Sequence, residues 1–232
     1  MKNNSTTKNL LYLIAIVLVV SCTKEDNSGK RDSNNEALYR STIPIPNISV
    51  QIDNQIWMVK NLSVSRYRNG DLIPQVQDQT QWSNLTSGAW CYYDNNSING
   101  RVYGKLYNWY AVNDSRGIAP LGWHVPSDTE WAELVSRNGG PLNAGKGLRA
   151  TILWNLGSGE TTNSSGFTGL PAGYRDASGY FATLGSSMHF WTSSESDLNT
   201  AWFYYGNNAN NNIDRYNPSK NYGFSIRCIK NN

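Results

Sequence analysis

Apolar and polar residues alternate over short stretches from about residue 50 onward, and few stretches show the longer period of a helix. The clearest alternation is at residues 50–52 and 56–59, which flank the polar residues Asp53, Asn54 and Gln55. Two alternating runs joined by polar turn residues are typical of a β-hairpin. The folded region is therefore expected to open with a hairpin.

One stretch carries the signals of a helix start. Ser127 and Glu130 have the S-x-x-E spacing of a capping box, in which each side chain satisfies a free amide at the other residue. Asp128 places negative charge in the first turn, where the helix dipole favours it. The apolar residues that follow at i, i+3 and i+4 form one face: Trp131, Leu134 and Val135. The pattern predicts a helix from residue 128 to about 137.

The remaining pattern predicts weaker helices and many short strands. Short helices are expected over residues 104–112 and, weakened by two glycines, over residues 144–151. Residues 176–179 have the composition of a hairpin turn. The further strand candidates are residues 89–93, 167–170, 179–183, 189–193, 202–205 and 223–229. The sequence thus predicts an α+β fold with two or three short helices and short antiparallel strands.

Composition indicates an aromatic-rich domain of nearly neutral charge. Trp (9) and Tyr (14) outnumber Phe (5) and Met (3), which favours a loop-rich domain held together by aromatic side chains. The formal net charge is +3, and two of the basic residues, Lys2 and Lys8, lie in a segment that is expected to be removed. The other basic residues are scattered, so no nucleic-acid partner is expected.

The start of the chain has the pattern of a bacterial lipoprotein signal. A positively charged start precedes an uninterrupted apolar run at residues 10–20, which is too short to span a bilayer and typical of a signal peptide. The run ends at Ser21-Cys22, which resembles a lipobox, where a small residue precedes the cysteine that is lipidated. An ordinary secretory signal is the alternative. We expect a signal peptide at residues 1–21 and a membrane anchor through lipid on Cys22.

Residues 22–48 are polar and then interrupted by proline, which predicts a flexible tether after the lipidated cysteine. Lys24 is followed by two acidic residues, which resembles the signal that sends some Gram-negative lipoproteins to the cell surface; a polar linker is the alternative. The predicted location is the outer membrane of a Gram-negative bacterium, lipid-anchored and surface-exposed. Residues 49–232 remain for one folded domain.

Several motifs of the folded region occur in the order seen in a known family. They are Tyr103-Gly-Lys-Leu-Tyr-Asn-Trp-Tyr-Ala-Val112, Gly122-Trp-His-Val-Pro-Ser-Asp-Thr-Glu-Trp131, Gly166-Phe-Thr-Gly-Leu-Pro-Ala-Gly-Tyr-Arg175, Phe190-Trp-Thr-Ser-Ser194 and Gly223-Phe-Ser-Ile-Arg-Cys-Ile-Lys230. Together they resemble the FISUMP family, the Fibrobacter-type major paralogous domain. The resemblance covers nearly all of residues 49–232, and the ordered set is more specific than any single motif.

The resemblance implies a C-type-lectin-like fold, related to that of formylglycine-generating enzymes. The helix start at residues 126–131 and the Gly-Phe-x-x-Arg ending at residues 223–227 are the features shared with those enzymes. The resemblance implies no defined biochemical activity. Members of the family typically occur in secreted or lipid-anchored proteins.

Two cysteines, Cys91 and Cys228, remain after lipidation of Cys22. In an oxidising compartment, two cysteines in one folded domain favour a disulfide, which would join the early and late parts of the domain. Two buried free thiols are the alternative.

No catalytic grouping is visible in the sequence. The only histidines, His124 and His189, lack metal-ligand spacing and a nucleophile at a recognisable distance. We expect a hydrogen-bonded structural role for His124 and an exposed position near a strand end for His189. Two close carboxylates would permit glycoside hydrolysis, because that arrangement is set by distance in the fold. Such a pair in a cleft, or His124 exposed beside an acid, would favour an enzyme.

The late loops hold the candidates for ligand binding. Oxygen-bearing side chains at residues 94–96, 195–199 and 207–214 could bind calcium, although the signatures of calcium-dependent sugar-binding lectins are absent. The tryptophans beside irregular segments are potential stacking platforms: Trp82, Trp154 and Trp202. The tryptophans within patterned segments are expected in the core: Trp57, Trp109, Trp123, Trp131 and Trp191. The candidate ligand-binding residues are Glu195, Asp197, Asn199, Trp202, Asn208, Asn210 and Asp214.

These observations predict a lipid-anchored, non-enzymatic binding module of the envelope or cell surface, with a polysaccharide or a protein as its ligand. No cofactor is expected, with calcium as the one option. A glycan-processing enzyme is the first alternative. A purely structural envelope protein, with all of its aromatic side chains buried, is the second.

Overall fold

Eleven strands and five α-helices form residues 49–231, the part of the chain that the computed structural model describes. The strands are β1 (Ser49–Ile52), β2 (Gln55–Met58), β3 (Trp90–Cys91), β4 (Leu106–Tyr107), β5 (Trp123–His124), β6 (Tyr174–Arg175), β7 (Phe181–Ala182), β8 (Ser187–Glu195), β9 (Ala201–Asn207), β10 (Asp214–Tyr216) and β11 (Ile229–Lys230). The helices are α1 (Gln79–Ser83), α2 (Ser97–Tyr103), α3 (Trp109–Val112), α4 (Asp128–Arg137) and α5 (Ala144–Leu148). The mixture confirms the α+β class, with more helices than the two or three predicted.

The two ends of the described region meet in one sheet. Its strand order is β1-β2-β11-β5, and every pairing in it is antiparallel. Ile229 of β11 lies opposite both Trp57 of β2 and His124 of β5. A second sheet has the order β10-β9-β8, and β3-β4 and β6-β7 form two-stranded ribbons. The predicted first hairpin is confirmed, with Asp53 at a φ of 55° in its turn.

Helix α4 begins where the capping box predicted. Ser127 Oγ accepts a hydrogen bond from the amide of Glu130 at 3.3 Å, and Glu130 Oε2 accepts one from the amide of Ser127 at 2.7 Å. The apolar face of the helix is buried as expected, through Trp131, Leu134 and Val135. Local hydrogen bonds and the apolar period agree here, so both the start and the packing of α4 follow from its sequence.

Two helices lie where the sequence was expected to be irregular. Helix α1 follows Asp78, whose side chain accepts from the amide of Gln81, and α2 follows Asn96, whose side chain accepts from the amide of Ile98. Asp and Asn are strong N-cap residues. Neither helix has a wide apolar face, and α1 buries Trp82 alone. Tertiary packing rather than a sequence period therefore holds these short helices.

The helix expected over residues 104–112 is shorter and starts later. The first half of that stretch contains strand β4, which pairs with β3. Helix α3 then begins after Asn108, whose side chain accepts from the amide of Ala111. The strands expected at residues 167–170 and 223–229 are mostly reduced to isolated bridges, apart from β11. In both cases the partner strand decides what a short apolar run becomes.

Three buried arginines tie loops together without an acidic partner at the guanidinium. Arg149, Arg175 and Arg227 are almost fully buried and donate mainly to backbone carbonyls. The guanidinium of Arg175 also lies 4.5 Å from the ring centroid of Trp82 and 4.8 Å from that of Phe181. Its carbonyl acceptors are those of Val76, Gln77, Asp78 and Gly179. A buried charge is tolerated only when its donors are satisfied, so these loops and the arginines fix one another.

The disulfide expected between Cys91 and Cys228 is not formed. Both residues are buried free thiols, and they belong to different hydrophobic clusters. Cys91 packs in a cluster with Trp82, whereas Cys228 packs in a cluster with Tyr107. Burial raises the pKa of each thiol to about 12. The structure therefore has the alternative arrangement, two buried thiols that are unreactive at neutral pH.

The second sheet carries aromatic rings on both of its faces, because neighbouring residues of a strand point to opposite sides. On one face, Phe190 of β8 and Tyr204 of β9 stack against Trp131 of α4, at 5.3 and 5.2 Å between ring centroids. On the other face, His189 of β8 and Phe203 of β9 stack at 5.8 Å. Helix α4 covers the first face. The second face is covered only in part.

The predicted signal peptide (residues 1–21), the lipidated Cys22 and the tether (residues 22–48) lie outside the described residues. Within residues 49–231, no helix has the length and hydrophobicity needed to cross a membrane.

Candidate functional site

A cavity of about 480 Å³ opens on the face of the β10-β9-β8 sheet that α4 does not cover. Its volume lies in the range of small-molecule binding sites. The lining residues come from β6, β8, β9, β10, the end of the β6-β7 ribbon and the segment before β11: Tyr174, Thr183, His189, Phe203, Tyr205, Tyr216, Asn217, Pro218, Tyr222 and Phe224. We call this cavity the aromatic pocket.

Three nearly parallel rings form the floor of the aromatic pocket. The ring centroids of Phe203 and Phe224 are 4.5 Å apart, and those of His189 and Phe224 are 5.2 Å apart. The interplanar angles of these two pairs are 28° and 18°. All three residues are buried. The floor is therefore a flat, rigid surface of π-faces.

Four tyrosines form the walls of the aromatic pocket: Tyr174, Tyr205, Tyr216 and Tyr222. The ring of Tyr174 lies 4.8 Å from that of His189 and 6.1 Å from that of Tyr222, between centroids. The ring of Tyr216 lies 6.1 Å from that of Phe203 and is 54% exposed, so it stands at the rim. A tyrosine offers an apolar ring together with a hydroxyl. The walls can thus make apolar contacts and hydrogen bonds with one ligand.

His189 has the most unusual chemistry in the aromatic pocket. Burial lowers the pKa of His189 to about 3, although a hydrogen bond with the Gly173 backbone acts in the opposite direction. The imidazole is therefore neutral at physiological pH. Its Nδ1 is buried and has no hydrogen-bond partner among residues 49–231. The prediction that His189 is exposed was wrong, because the first six residues of β8 are buried whichever face they point to.

The aromatic pocket is uncharged. Its lining, within the described residues, includes no Asp, Glu, Lys or Arg. Its polar groups are the tyrosine hydroxyls, Thr183, Asn217 and the imidazole. Asn217 Nδ2 donates to Ser196 Oγ at 2.9 Å, which leaves the Asn217 side-chain oxygen as an acceptor. Burial raises the pKa of Tyr174, and nearby Tyr222 adds to the effect, so the Tyr174 hydroxyl keeps its proton. Such a lining suits a neutral ligand.

None of the seven ligand-binding residues predicted from the sequence lines the aromatic pocket. Three of them instead build the turn between β8 and β9. Glu195 accepts from Lys220 Nζ, and the carbonyl of Asn199 accepts from the Lys220 amide at 3.0 Å. Asp197 Oδ1 accepts from the amides of Asn199 and Thr200 at 2.8 and 2.9 Å. Their polar atoms are used within the protein.

Asn208 and Asn210 lie in the turn between β9 and β10, where they are bonded to neighbouring loops. Asn208 Nδ2 donates to the carbonyl of Leu156 at 3.0 Å, and the carbonyl of Asn210 accepts from Arg149 Nη1 at 2.8 Å. These two residues hold the turn in place and do not come near one common ligand position.

Trp202 and Asp214 lie away from the aromatic pocket. The guanidinium carbon of Arg215 is 3.2 Å from the ring centroid of Trp202, and Arg215 also pairs with Asp128 at the start of α4. Asp214 lines a second cavity of about 390 Å³ beside α4, together with residues such as Val135 and Ile213. Trp202 is thus covered by a cation instead of being free to stack on a ligand.

The tryptophans follow the prediction in most cases. Four of the five that were expected in the core are buried, namely Trp57, Trp109, Trp131 and Trp191, and Trp123 is half-buried. Of the three potential platforms, Trp82 is buried, and Trp154 and Trp202 are half-buried. The exposed aromatic surface of this domain therefore consists mainly of tyrosine.

His124 lies beside an acid, the arrangement that was expected to favour an enzyme. Its Nε2 is 2.8 Å from Glu130 Oε1, and its Nδ1 is 2.8 Å from Asn231 Oδ1. Although burial acts to raise it, hydrogen bonds from Ser127 and His124 bring the pKa of Glu130 below its usual value. Both residues are thus engaged in the helix cap, and neither lines the aromatic pocket or the second cavity. The structural role predicted for His124 fits this geometry.

The calcium option gains no support from the arrangement of side chains. Within residues 49–231, no three His, Cys, Asp or Glu side chains come together in a group that could hold a metal ion. The acidic residues of the late loops are separated among different turns, where each is paired with a cation or an amide of the protein.

A weak signal for the aromatic pocket was present in the sequence. His189, Phe203 and Tyr205 occupy alternate positions of two predicted strands, and the loop range searched for a binding surface contains Tyr216, Asn217 and Pro218. What the sequence could not indicate is which of the two aromatic faces stays uncovered. That depends on where α4 packs.

The match to a protein family is clear. A family model described as the Fibrobacter succinogenes major domain matches residues 50–230. This confirms the family predicted from the ordered motifs. No curated protein matches the chain, and no solved structure matches it.

Proposed function

This chain belongs to the Fibrobacter succinogenes major domain family, and we propose that it is a lipid-anchored, non-enzymatic module that binds carbohydrate in the aromatic pocket. The observation that carries the proposal is the uncharged pocket with a floor of stacked rings and walls of tyrosine. A pyranose ring has an apolar face of C–H groups and a rim of hydroxyls. The first complements the π-faces of the floor, and the second complements the tyrosine hydroxyls, Thr183 and Asn217.

The polarity of the pocket favours a sugar over the other ligand classes. A charged ligand would lose its hydration without gaining a salt bridge, because no ionised side chain lines the pocket. A purely apolar ligand would leave the hydroxyls of the walls without partners. A neutral ligand with both an apolar face and several hydroxyls meets both conditions. A neutral or aromatic peptide segment is the competing ligand, and it becomes an outcome of the test below.

A binding role is favoured over catalysis by the way the polar groups are used. A glycosidase needs two carboxyl groups facing the scissile bond, and the pocket lining contains none. The acid nearest to a histidine, Glu130, is engaged in the cap of α4. Binding without chemistry is what rings, hydroxyls and one neutral imidazole can perform.

The anchor and the finer fold belong to the same proposal. The apolar run ending at Cys22 supports a lipid anchor, and the following polar segment supports a tether that presents the domain at the surface of a Gram-negative outer membrane. The short antiparallel strands and short helices support a C-type-lectin-like fold. Fractionation of cells tests the anchor: Cys22→Ala should release the protein from membranes, and a variant that stays membrane-bound would refute the lipid anchor.

The binding proposal is tested with the full chain, purified in detergent, on a glycan array with and without a chelator. We expect neutral glycans to bind, with no loss on chelation, because no carboxylate cluster is available for calcium. Tyr216→Ala, at the exposed rim of the pocket, should weaken binding at least about tenfold through loss of ring contact.

Tyr180→Ala is the matched control, since Tyr180 is similarly exposed, at 61%, but does not line the pocket. Its binding should equal that of the wild type. A blank array, or equal losses for both variants, would refute carbohydrate binding in the pocket. Binding of a peptide library that is lost in Tyr216→Ala would identify a protein ligand instead.

A further inference from the structure

The aromatic pocket contains one polar atom that the protein itself leaves unsatisfied. His189 lies in the floor, and its Nδ1 is buried without a hydrogen-bond partner among residues 49–231. Three other buried side-chain atoms share this condition: Tyr67 Oη, Asn95 Oδ1 and Trp131 Nε1. None of those three residues lines the pocket, so only at His189 does a cavity large enough for a ligand adjoin the unsatisfied atom.

The tautomer of the ring follows from its other contact. The hydrogen bond with the Gly173 backbone supports the protonated form of the ring, as expected when a ring N–H donates to a carbonyl. The Gly173 amide is already used, because it donates to the Ser187 carbonyl at 3.0 Å. A neutral imidazole has one N–H. With that N–H directed to the Gly173 carbonyl, Nδ1 is the nitrogen with a free lone pair.

We propose that His189 Nδ1 is the specificity-determining acceptor of the aromatic pocket, and that it receives a hydrogen bond from a hydroxyl of a bound neutral sugar. The inference rests on the proposed carbohydrate binding and adds the group that selects the ligand. An unsatisfied buried acceptor destabilises the free protein, and a ligand donor removes that penalty on binding. A ligand without a donor at this position leaves the penalty in place.

The neighbours of His189 make the selection stringent. Its ring is held by Phe203, Phe224, Tyr174 and Tyr205, with ring centroids between 4.8 and 5.8 Å away. The imidazole therefore cannot turn to find another partner without displacing packed rings. Sites built around a buried polar atom reject analogues that lack the matching group far more strongly than apolar sites reject a change of size.

The first test needs no substitution in the protein. A methyl glycoside of the sugar that binds best on the array is compared with its complete set of monodeoxy analogues, by isothermal titration calorimetry with the full chain. We expect removal of one particular hydroxyl to weaken binding about 10- to 100-fold. In addition, the ¹⁵N resonance of His189 Nδ1 should shift toward that of a hydrogen-bonded acceptor when the parent glycoside binds, and should not shift with that analogue.

The second test assigns the critical hydroxyl to His189. His189→Phe keeps a planar ring and removes the acceptor, so it should bind the parent glycoside about as weakly as the wild type binds the critical deoxy analogue. It should also no longer distinguish the two ligands. His189→Asn, whose side-chain oxygen can occupy a position close to that of Nδ1, should recover part of the discrimination.

The outcomes separate this inference from the proposed function. If glycosides bind but every deoxy analogue binds equally, or if His189→Phe discriminates as the wild type does, the role of His189 is refuted and carbohydrate binding stands. If no glycoside binds and Tyr216→Ala changes nothing, the proposed function itself is wrong and the inference falls with it.

Discussion

The two faces of the β10-β9-β8 sheet are built from the same kinds of side chain but have different fates. On the face toward α4, Trp131 contacts Tyr204, Phe190 and Phe167, with ring centroids 5.2 to 5.5 Å apart. On the opposite face, His189 and Phe203 are packed equally closely but adjoin the aromatic pocket. A single ten-residue helix, α4, accounts for the difference. Aromatic content therefore does not identify a binding site until the covering element is known.

Each face also contains one buried polar atom without a partner among the described residues. On the covered face it is Trp131 Nε1, and on the open face it is His189 Nδ1. The indole N–H is closed in by neighbouring rings and burdens only the folded state. The imidazole nitrogen adjoins a cavity in which a ligand can satisfy it. The same imperfection thus has a structural cost on one face and a functional use on the other.

The largest effect is expected from removing the centre of the covered face. Trp131 is 1% exposed and contacts four aromatic rings. Trp131→Ala should lower the free energy of unfolding by about 3–5 kcal/mol, because it removes buried apolar surface and leaves a cavity. Urea denaturation monitored by circular dichroism measures this. A loss below about 1 kcal/mol would mean that α4 does not close this face as described.

Acid should destabilise the open face next. The folded-state pKa of His189, about 3, lies below the ordinary histidine value of 6.5. The unfolded chain therefore takes up a proton below pH 6.5 that the folded chain refuses. The contribution is fully present above pH 6.5 and is lost at about 1.4 kcal/mol per pH unit as the pH falls toward 3.

Comparison with His189→Phe isolates this effect from the titration of carboxyl groups. The difference in unfolding free energy between wild type and variant should change by about 3 kcal/mol between pH 7 and pH 4, as measured by urea denaturation. A difference independent of pH would show that His189 is not buried in the neutral form.

The smallest change in stability is expected at the rim of the open face. Tyr216 is more than half exposed, so Tyr216→Ala should lower the free energy of unfolding by less than about 1 kcal/mol. The same substitution is expected to remove most glycan binding. Thermal unfolding beside the array measurement tests the pair of expectations. A large stability loss would place Tyr216 in the core and weaken the contrast between the faces.

The features that the sequence predicted well are those decided by near neighbours. The start of α4 follows from hydrogen bonds between Ser127 and Glu130, three residues apart. The first hairpin follows from a polar turn between two alternating runs. The turn at residues 176–179 is also as predicted, with Asp176 Oδ1 accepting from the amide of Tyr180 and closing the β6-β7 ribbon.

The predictions that failed all depended on distant parts of the chain. His189 was expected to be exposed because it begins a predicted strand, but the rings that bury it come from residues 174, 203, 205 and 224. The acidic and amide side chains of the late loops looked like ligands. In the fold they are used by Lys220, Arg149 and Arg215, whose positions no local pattern indicates.

The sequence by itself determined the family, the α+β class and the best-capped helix, because motifs, periodicity and capping act over a few residues. It also carries the apolar run and cysteine on which the anchor proposal rests. Only the tertiary structure decided which aromatic face is core and which is a pocket. Strands β8 and β9 carry rings on both sides, and burial of one side is determined by packing of α4. Pairing between distant segments, which no local pattern contains, sets that packing.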